Sequence, residues 1–554
     1  MISSPSATKV VDDNRSVSSI PSEVAEDHNA HIVRPPKFDS KSIKKYLYTR
    51  ITSLWVGWDE LSSYSWKEVL NPFYPLKEMN LHQWNFFFMA YGGWTMDAFD
   101  FFLTSLNVGN LAKSFNRSTK DITWGITLVL MFRTVGALIF GFLGDTFGRK
   151  WPFIINMSCL IAIQIGTGFV TTYTQFLAVR AVFGIAMGGI FGICAAEALG
   201  DAPIKARGVL SGIYQEGYAL GYLLAVCFQR AFEETDRVWQ NMFFFSAGVS
   251  VIFVVWRLFN PETDNFQRQK AIFQKGAKAK KSELAEFKSQ AKKAIRVYWL
   301  NIIYLVLLMS GFNFSSHGSQ DMYPTMLTSQ YHFGNDKTTV VNVCANLGAI
   351  AGGTVISHLS TFIGRRTAIL LGNVFAAAFI YPWAFKPMWV TAFFMQFGIQ
   401  GSWAVVPIHL SELSPPHFKS FVTGTAYQLG NLVSSASSTI EATINESLDD
   451  FGKTMAIFIG AIIAYLMIVN ILGPENRGAD LEANRDDEFS IFDVEDEEDM
   501  EEDDLNKTHE EKSGISANKK PEFEHRENVS DSDLDSLREE NIGTPSNFNK
   551  PEVE

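Results

Sequence analysis

The sequence predicts an all-α membrane protein with twelve transmembrane helices in two pseudo-symmetric six-helix halves. Three observations predict it. From about Gln83 to Gly473 the chain is a succession of apolar runs, each close to the ~20 residues a helix needs to cross a bilayer. Basic loops between the runs fall on one side when the runs alternate. Landmarks of the first half recur in the second at an offset of 212 to 216 residues. A water-soluble fold would show amphipathic patterns broken by frequent charges. Here 47% of the residues are hydrophobic, and two polar ends dilute even that average.

Residues 1–80 read as a cytoplasmic N-terminal arm, partly disordered. Its first residues, "MISSPSATKVVDDNRS", lack the apolar core of a signal peptide, so the first span has to direct insertion. The Ser-rich part to about residue 38 has a disordered composition. The stretch "SIKKYLYTRITSLWVGW" then mixes basic and apolar residues at helical spacing, which fits an interfacial helix and a plain soluble segment equally.

Residues 81–260 hold six spans, centred near Trp94, Arg133, Ile161, Gly188, Tyr218 and Ser250. Residues 261–296 form a basic cytoplasmic loop, and residues 297–473 hold six more spans, centred near Val306, Leu347, Ala376, Gly398, Asn431 and Ile463. Residues 474–554 make an acidic cytoplasmic tail of disordered composition, where "DDEFSIFDVEDEEDMEEDD" carries much of the net charge of −12. Lys512, Lys519 and Lys520 in that tail suit ubiquitination and capture by the endocytic machinery. Cys159, Cys194, Cys227 and Cys344 all sit inside apolar runs and read as small buried hydrophobes.

Orientation follows from the loops "GDTFGRKW", "DAPIKARG", "FIGRRTA" and the central loop, all basic and all on one side. They put both termini in the cytoplasm; only "KSFNRSTK" opposes them. The repeat pairs "GRK" at Gly148 with "GRR" at Gly364, "PET" at Pro261 with "PEN" at Pro474, and Glu197 with Glu412. Internal repeats of this kind are the usual build of secondary transporters.

"GFLGDTFGRK", through Gly141, Asp145, Gly148, Arg149 and Lys150, resembles the signature loop of the major facilitator superfamily. "RAVFGIAMGG", through Arg180, Gly184, Gly188 and Gly189, resembles its fourth-span motif. The second copy of the loop motif has Thr361 in the place of Asp145. "NFSSHGSQDMYPT" is similar to the seventh-span signature of the fungal lactate/pyruvate–proton symporters, with Asn313, Ser316, His317, Ser319, Gln320, Asp321 and Thr325 at its fixed positions. The resemblance implies a major-facilitator-type fold. It also implies proton-coupled uptake of short monocarboxylates such as lactate, pyruvate, acetate and propionate across the plasma membrane. Relatives in the same family carry dicarboxylates such as malate and succinate, and the motif does not separate the two.

The residues make a parallel argument. Charges at mid-bilayer are costly, at least ~2.5 kcal/mol on insertion scales, and face a cavity or a partner. Arg133 stands mid-span, and a guanidinium binds both oxygens of a carboxylate; it also serves to neutralise Asp97 or Asp100. Arg180 reads either as support for the carboxylate or as a tie between helices. Asn313, His317 and Asp321, four residues apart, form one helical stripe. Histidine titrates near pH ~6.5 and suits proton coupling, for which Asp321, Asp97 and Glu216 are the other carriers. Gln428 shares a face with Asn431, Ser435 and Ser438 and suits substrate polar groups or helix contacts. Asp145, Arg149 and Arg207 suit a cytoplasmic charge cluster that latches one state. The expected partners are a small carboxylate, protons and the lipid bilayer, with no nucleic acid and no cofactor beyond the proton as co-substrate. No hydrolytic triad, metal cluster or nucleotide loop stands out, so an enzyme is not expected. A carboxylate-sensing receptor without significant transport is the reading from another class.

Overall fold

The computed structural model describes residues 38–478 apart from 58–60, 63, 233, 264–265, 268–282 and 416–417. The disorder expected before residue 38, and the tail beyond 478 with its lysines, lie outside the described residues. Every regular element described is a helix. Ahead of the bundle lie α1 (Ser40–Thr52), the short α2 (Trp66–Leu70) and a 3-10 turn, Pro75–Glu78. The first half contains α3 (Leu81–Leu106), α4 (Val108–Phe115), α5 (Thr119–Phe147), α6 (Lys150–Gly168), α7 (Tyr173–Gly188), α8 (Ile190–Gly200), α9 (Ile204–Phe232) and α10 (Val238–Phe259). The second contains α11 (Glu283–Gln320), α12 (Tyr323–Ser329), α13 (Asn335–Ile363), α14 (Arg365–Phe385), α15 (Trp389–Ala404), α16 (Val406–Leu413), α17 (Lys419–Ser434), α18 (Ser437–Leu448) and α19 (Phe451–Leu472).

Three spans are interrupted. α7 passes into α8 at Gly189, α15 into α16 at Val405 just before Pro407, and α17 into α18 at Ser435 and Ala436. With each broken pair taken as one rod, and the short α4 and α12 counted with α3 and α11, which they follow, the expected six-plus-six arrangement results. Eight rods are long and apolar enough to cross a membrane by length and composition alone. The other four are α3, α9, α15/α16 and α17/α18. They carry Asp97 and Asp100, Gln215 and Glu216, Gln396 and Gln400, and Gln428 and Asn431. These polar side chains are buried or half-buried, which lowers the apolarity of the four rods.

The rim shows the complementary pattern. Leu138, Ile252, Leu371, Ile457 and Ile468 are exposed, while Arg133, Asp97 and Gln428 are buried. Lipid is the solvent this surface fits. Two expectations change. Residues 283–296, expected as loop, are helical and continue into the seventh span, because "ELAEFKSQAKKAIR" is built of strong helix formers. Cys159 and Cys227, expected buried, are exposed on the apolar exterior, while Cys194 is buried and Cys344 half-buried; all four are free thiols.

The repeat is visible as geometry. Gly148 and Gly364 end α5 and α13 with φ of 92° and 96°, a region that favours glycine. Behind each, one glutamate caps the next helix. Glu262 accepts from Lys150 N at 2.9 Å, and Glu475 accepts from Arg366 N at 2.9 Å. The paired Glu197 and Glu412 each hold a buried arginine. Glu197 meets Arg257 at 3.0 Å, and Glu412 takes Arg365 through both oxygens at 3.0 and 2.9 Å. The end of the bundle that carries these two turns is called the loop end below.

At the loop end the halves are bonded to each other. Asp145 accepts from Ser420 N at 3.1 Å and Phe421 N at 2.8 Å. Ser211 Oγ donates to Ala404 O at 2.8 Å and accepts from Ile408 N at 3.1 Å. Further along, Thr134 Oγ1 donates to Gln428 O at 3.2 Å.

Candidate functional site

Arg133 projects from the middle of α5 and is buried, with 1% of its surface exposed. Its neighbour helix α7 approaches closely: a Cβ at Gly188 would lie 1.9 Å from Arg133 O, so only glycine permits this crossing. The partner is Asp97 on α3, 3.9 Å away and equally buried. That is an ion pair with loose geometry. Nε and Nη2 of Arg133 and both oxygens of Asp97 lack hydrogen-bond partners. A buried charge pair is stable only with good geometry and further hydrogen bonds. Here donors are left over for a ligand.

Aromatic side chains enclose this pair. The Arg133 guanidinium lies 5.8 Å from the Tyr427 ring and 5.9 Å from the Phe101 ring. Trp94 stacks on Tyr218 at 5.7 Å and on Tyr214 at 6.1 Å, and Tyr427 meets Phe191 at 4.0 Å and Trp403 at 5.7 Å. Both halves therefore contribute walls. Next to Tyr427, Gln428 Oε1 accepts from Asn431 Nδ2 at 3.0 Å, and Gln428 Nε2 has no partner.

The seventh-span stripe lies on α11. Asn313 is buried and its Nδ2 donates to Met309 O on its own helix at 2.9 Å. His317 Nδ1 faces Asp321 Oδ2 at 3.2 Å, with the two side chains 23% and 38% exposed. The pair thus sits nearer solvent than Arg133 and Asp97, at the end opposite the loop end.

The other expected residues lie elsewhere. Arg180, expected beside the carboxylate, has its guanidinium 3.9 Å from the Phe183 ring, and none of its nitrogens has a hydrogen-bond partner. Asp100 accepts from Ser246 on α10. Glu216 packs against Gly353 of α13, at the seam of the two halves, away from Arg133. Asp145, Arg149 and Arg207, the charge cluster expected at the cytoplasmic side, lie at the loop end. Asp145 caps α17 of the second half, Arg149 donates to Ala196 O at 2.8 Å, and Arg207 donates to Ala202 O at 2.9 Å. A backbone carbonyl of α8 and one just beyond its end thus each accept from one of these arginines.

Sequence reasoning missed three groups. Gln400 donates to Ser316 Oγ at 3.0 Å, and Gln396 donates to Ser319 Oγ at 3.0 Å and accepts from Gln320 at 3.2 Å. Two glutamines one turn apart in the apolar run "MQFGIQ" were the signal. Glu441 on α18 is buried with both oxygens unpartnered, and Asp321 lies within its electrostatic reach. The aromatic walls were hidden among many aromatics. No group of metal-ligating side chains occurs among the described residues.

Residues 78–486 match the family of sugar (and other) transporters. The carboxylic acid transporter protein homolog of Saccharomyces cerevisiae is 39% identical over 474 residues, covering 80% of this chain and 76% of that one. The probable 4-methylmuconolactone transporter of Cupriavidus pinatubonensis is 24% identical over 404 residues, covering 72% and 91%. Among solved structures, the major facilitator superfamily proton:xylose symporter XylE bound to 6-bromo-6-deoxy-D-glucose aligns with a TM-score of 0.61 at 16% identity, covering 72% of this chain and 98% of that one.

Proposed function

The chain belongs to the sugar (and other) transporter family, and from that premise we propose that it is a proton-coupled importer of short-chain monocarboxylates. The observation that carries the reading is the buried Arg133, held loosely by Asp97, with donors unused. A carboxylate that reaches Arg133 completes its hydrogen bonding and releases Asp97 from neutralising it. The freed Asp97 is then an unpaired buried carboxylate, which favours taking up a proton. His317 and Asp321, nearer solvent, are the groups that deliver it. Proton and anion together carry no net charge, so the loaded carrier escapes most of the cost of moving an ion through low dielectric.

In this reading the loop end is cytoplasmic, as the basic loops indicate, with both termini inside and the protein in the plasma membrane. The bonds of Asp145 and Ser211 then close the cytoplasmic side while His317 and Asp321 face outward. Breaking those bonds accompanies the swing of one half against the other.

The test is uptake by vesicles holding the purified chain. Labelled lactate or pyruvate should accumulate when the outside is acidic, with alkalinisation outside. Accumulation of succinate or malate in preference would give the carrier a dicarboxylate substrate. No acid-dependent uptake of any short carboxylate, with the protein folded and inserted, would overturn transport and leave a sensor.

A further inference from the structure

The helix ahead of the first span plays no part in the transport cycle described above, and its surface is divided into three strips. Asp39 caps it, its Oδ2 accepting from Lys41 N and Ser42 N at 3.1 Å. The first strip of α1 is fastened to the second half. Thr49 and Arg50 are buried, Tyr46 Oη donates to Leu472 O at 2.8 Å, and Arg366 donates to Arg50 O at 3.1 Å and to Ser53 Oγ at 2.9 Å.

The second strip is apolar and uncovered. Ile43, Leu47 and Ile51, one turn apart, are 45%, 44% and 60% exposed. The third strip holds Lys41, Lys44 and Lys45, all exposed. A helix with one docked, one apolar and one basic strip has a natural place only where protein, acyl chains and headgroups meet.

Its neighbours identify what covers the apolar strip. Tyr46 and Arg50 rest on the end of α19, whose Ile468 and Leu472 are exposed. Phe38, just ahead of the helix, packs on Trp299 of α11 with centroids 6.1 Å apart, and Trp299, Leu300 and Ile303 are exposed too. α11 and α19 are both spans long and apolar enough to cross a membrane. The apolar strip of α1 therefore continues the lipid-facing surface of two spans at their loop end.

We propose that α1 lies in the headgroup layer of the leaflet at the loop end, with Ile43, Leu47 and Ile51 among acyl chains and the three lysines on anionic lipid headgroups. Lysines near an anionic leaflet are attracted to it, and uncharged headgroups supply no such term. Because α1 also holds Arg366, in the first turn of α14 behind the Gly364 turn, anionic lipid bound there stabilises the loop end of the second half. The site involves no substrate, so its test is independent of which acid is carried.

The full-length chain is placed in nanodiscs of phosphatidylcholine alone and of phosphatidylcholine mixed with phosphatidylserine. The unfolding midpoint should rise by roughly 2–4 °C in the mixed lipid, the size a modest binding energy gives in a chain of this kind. Lys41→Glu/Lys44→Glu/Lys45→Glu should lose the rise, and inorganic phosphate added to phosphatidylcholine discs should not produce it. As a second readout, Leu47→Cys in a chain whose own cysteines are changed to serine is labelled with an environment-sensitive dye. A nitroxide carried on lipid tails near the headgroup should quench it. Equal midpoints for the wild type in the two lipids, the same rise with inorganic phosphate, or an unquenched dye would each overturn the proposal.

Discussion

In the proposed function, Arg133 and Asp97 set the terms of recognition. A guanidinium offers two parallel donors to a carboxylate, whereas an ammonium offers a point charge. Arg133→Lys keeps the charge and discards the fork, and it loses the flat group that lies near Tyr427 and Phe101. Its half-saturation concentration for lactate should rise at least ~30-fold, the equivalent of ~2 kcal/mol of lost bidentate contact. Uptake kinetics check this, and an unchanged constant would remove Arg133 from the substrate. His317→Ala differs. The stripe it leaves is partly exposed, so the protein should fold and reach the surface, with no large unpaired charge buried. Acid-driven accumulation of labelled lactate should collapse while exchange of lactate for lactate, which needs no net proton movement, persists. Equal loss of both would make His317 a structural residue.

Elements record the repeat most sharply at the turns after α5 and α13. Both glycines have positive φ, so alanine is strained at either by about 1–2 kcal/mol. The surroundings differ. A Cβ at Gly148 would lie 2.5 Å from Glu262 Oε2, the oxygen that caps α6, whereas at Gly364 the nearest atom, Glu475 Oε2, would be 3.4 Å away. Gly148→Ala should therefore lower the unfolding midpoint in detergent more than Gly364→Ala; the reverse order would show that the cap of α6 yields freely. The sequence pairing of "GRK" with "GRR" and "PET" with "PEN" made this cap-and-turn unit legible, because each residue type serves a local geometry. The Arg133–Asp97 pair was legible for the same kind of reason: charges in an apolar run need partners. The ties of α11 to Gln396 and Gln400 were not. They join runs about eighty positions apart, and an amide in a helix shows neither its face nor its partner. The carbonyl partners of Arg149 and Arg207 were not legible either. Carbonyls near the end of a helix are acceptors that no side-chain pattern reveals.

The molecule as a whole imposes an accounting of charge. Its loop end is shut by Asp145 and Ser211, and its central arginine is already neutralised by Asp97. If a monoanion enters alone, the site carries one net negative charge through the swing of the halves, in surroundings walled by Trp94, Tyr218, Phe191, Tyr427 and Trp403. Such walls offer little solvation for an unpaired ion, and the barrier to the swing rises accordingly. If one proton enters with it, Asp97 or the His317–Asp321 pair absorbs the charge and the barrier falls. The empty carrier returns with Arg133 and Asp97 paired, again without net charge. Both legs of the cycle are then neutral, and the membrane potential has no charge to act on. Uptake of lactate into vesicles should therefore follow an imposed pH gradient and stay within about twofold when a potassium diffusion potential of either sign is applied, since a full charge moved through 100 mV would be worth ~2.3 kcal/mol. A lactate-dependent inward current under voltage clamp, scaling with uptake, would mean that more than one proton accompanies each anion. Asp97 and His317 would then both be loaded in a single turnover.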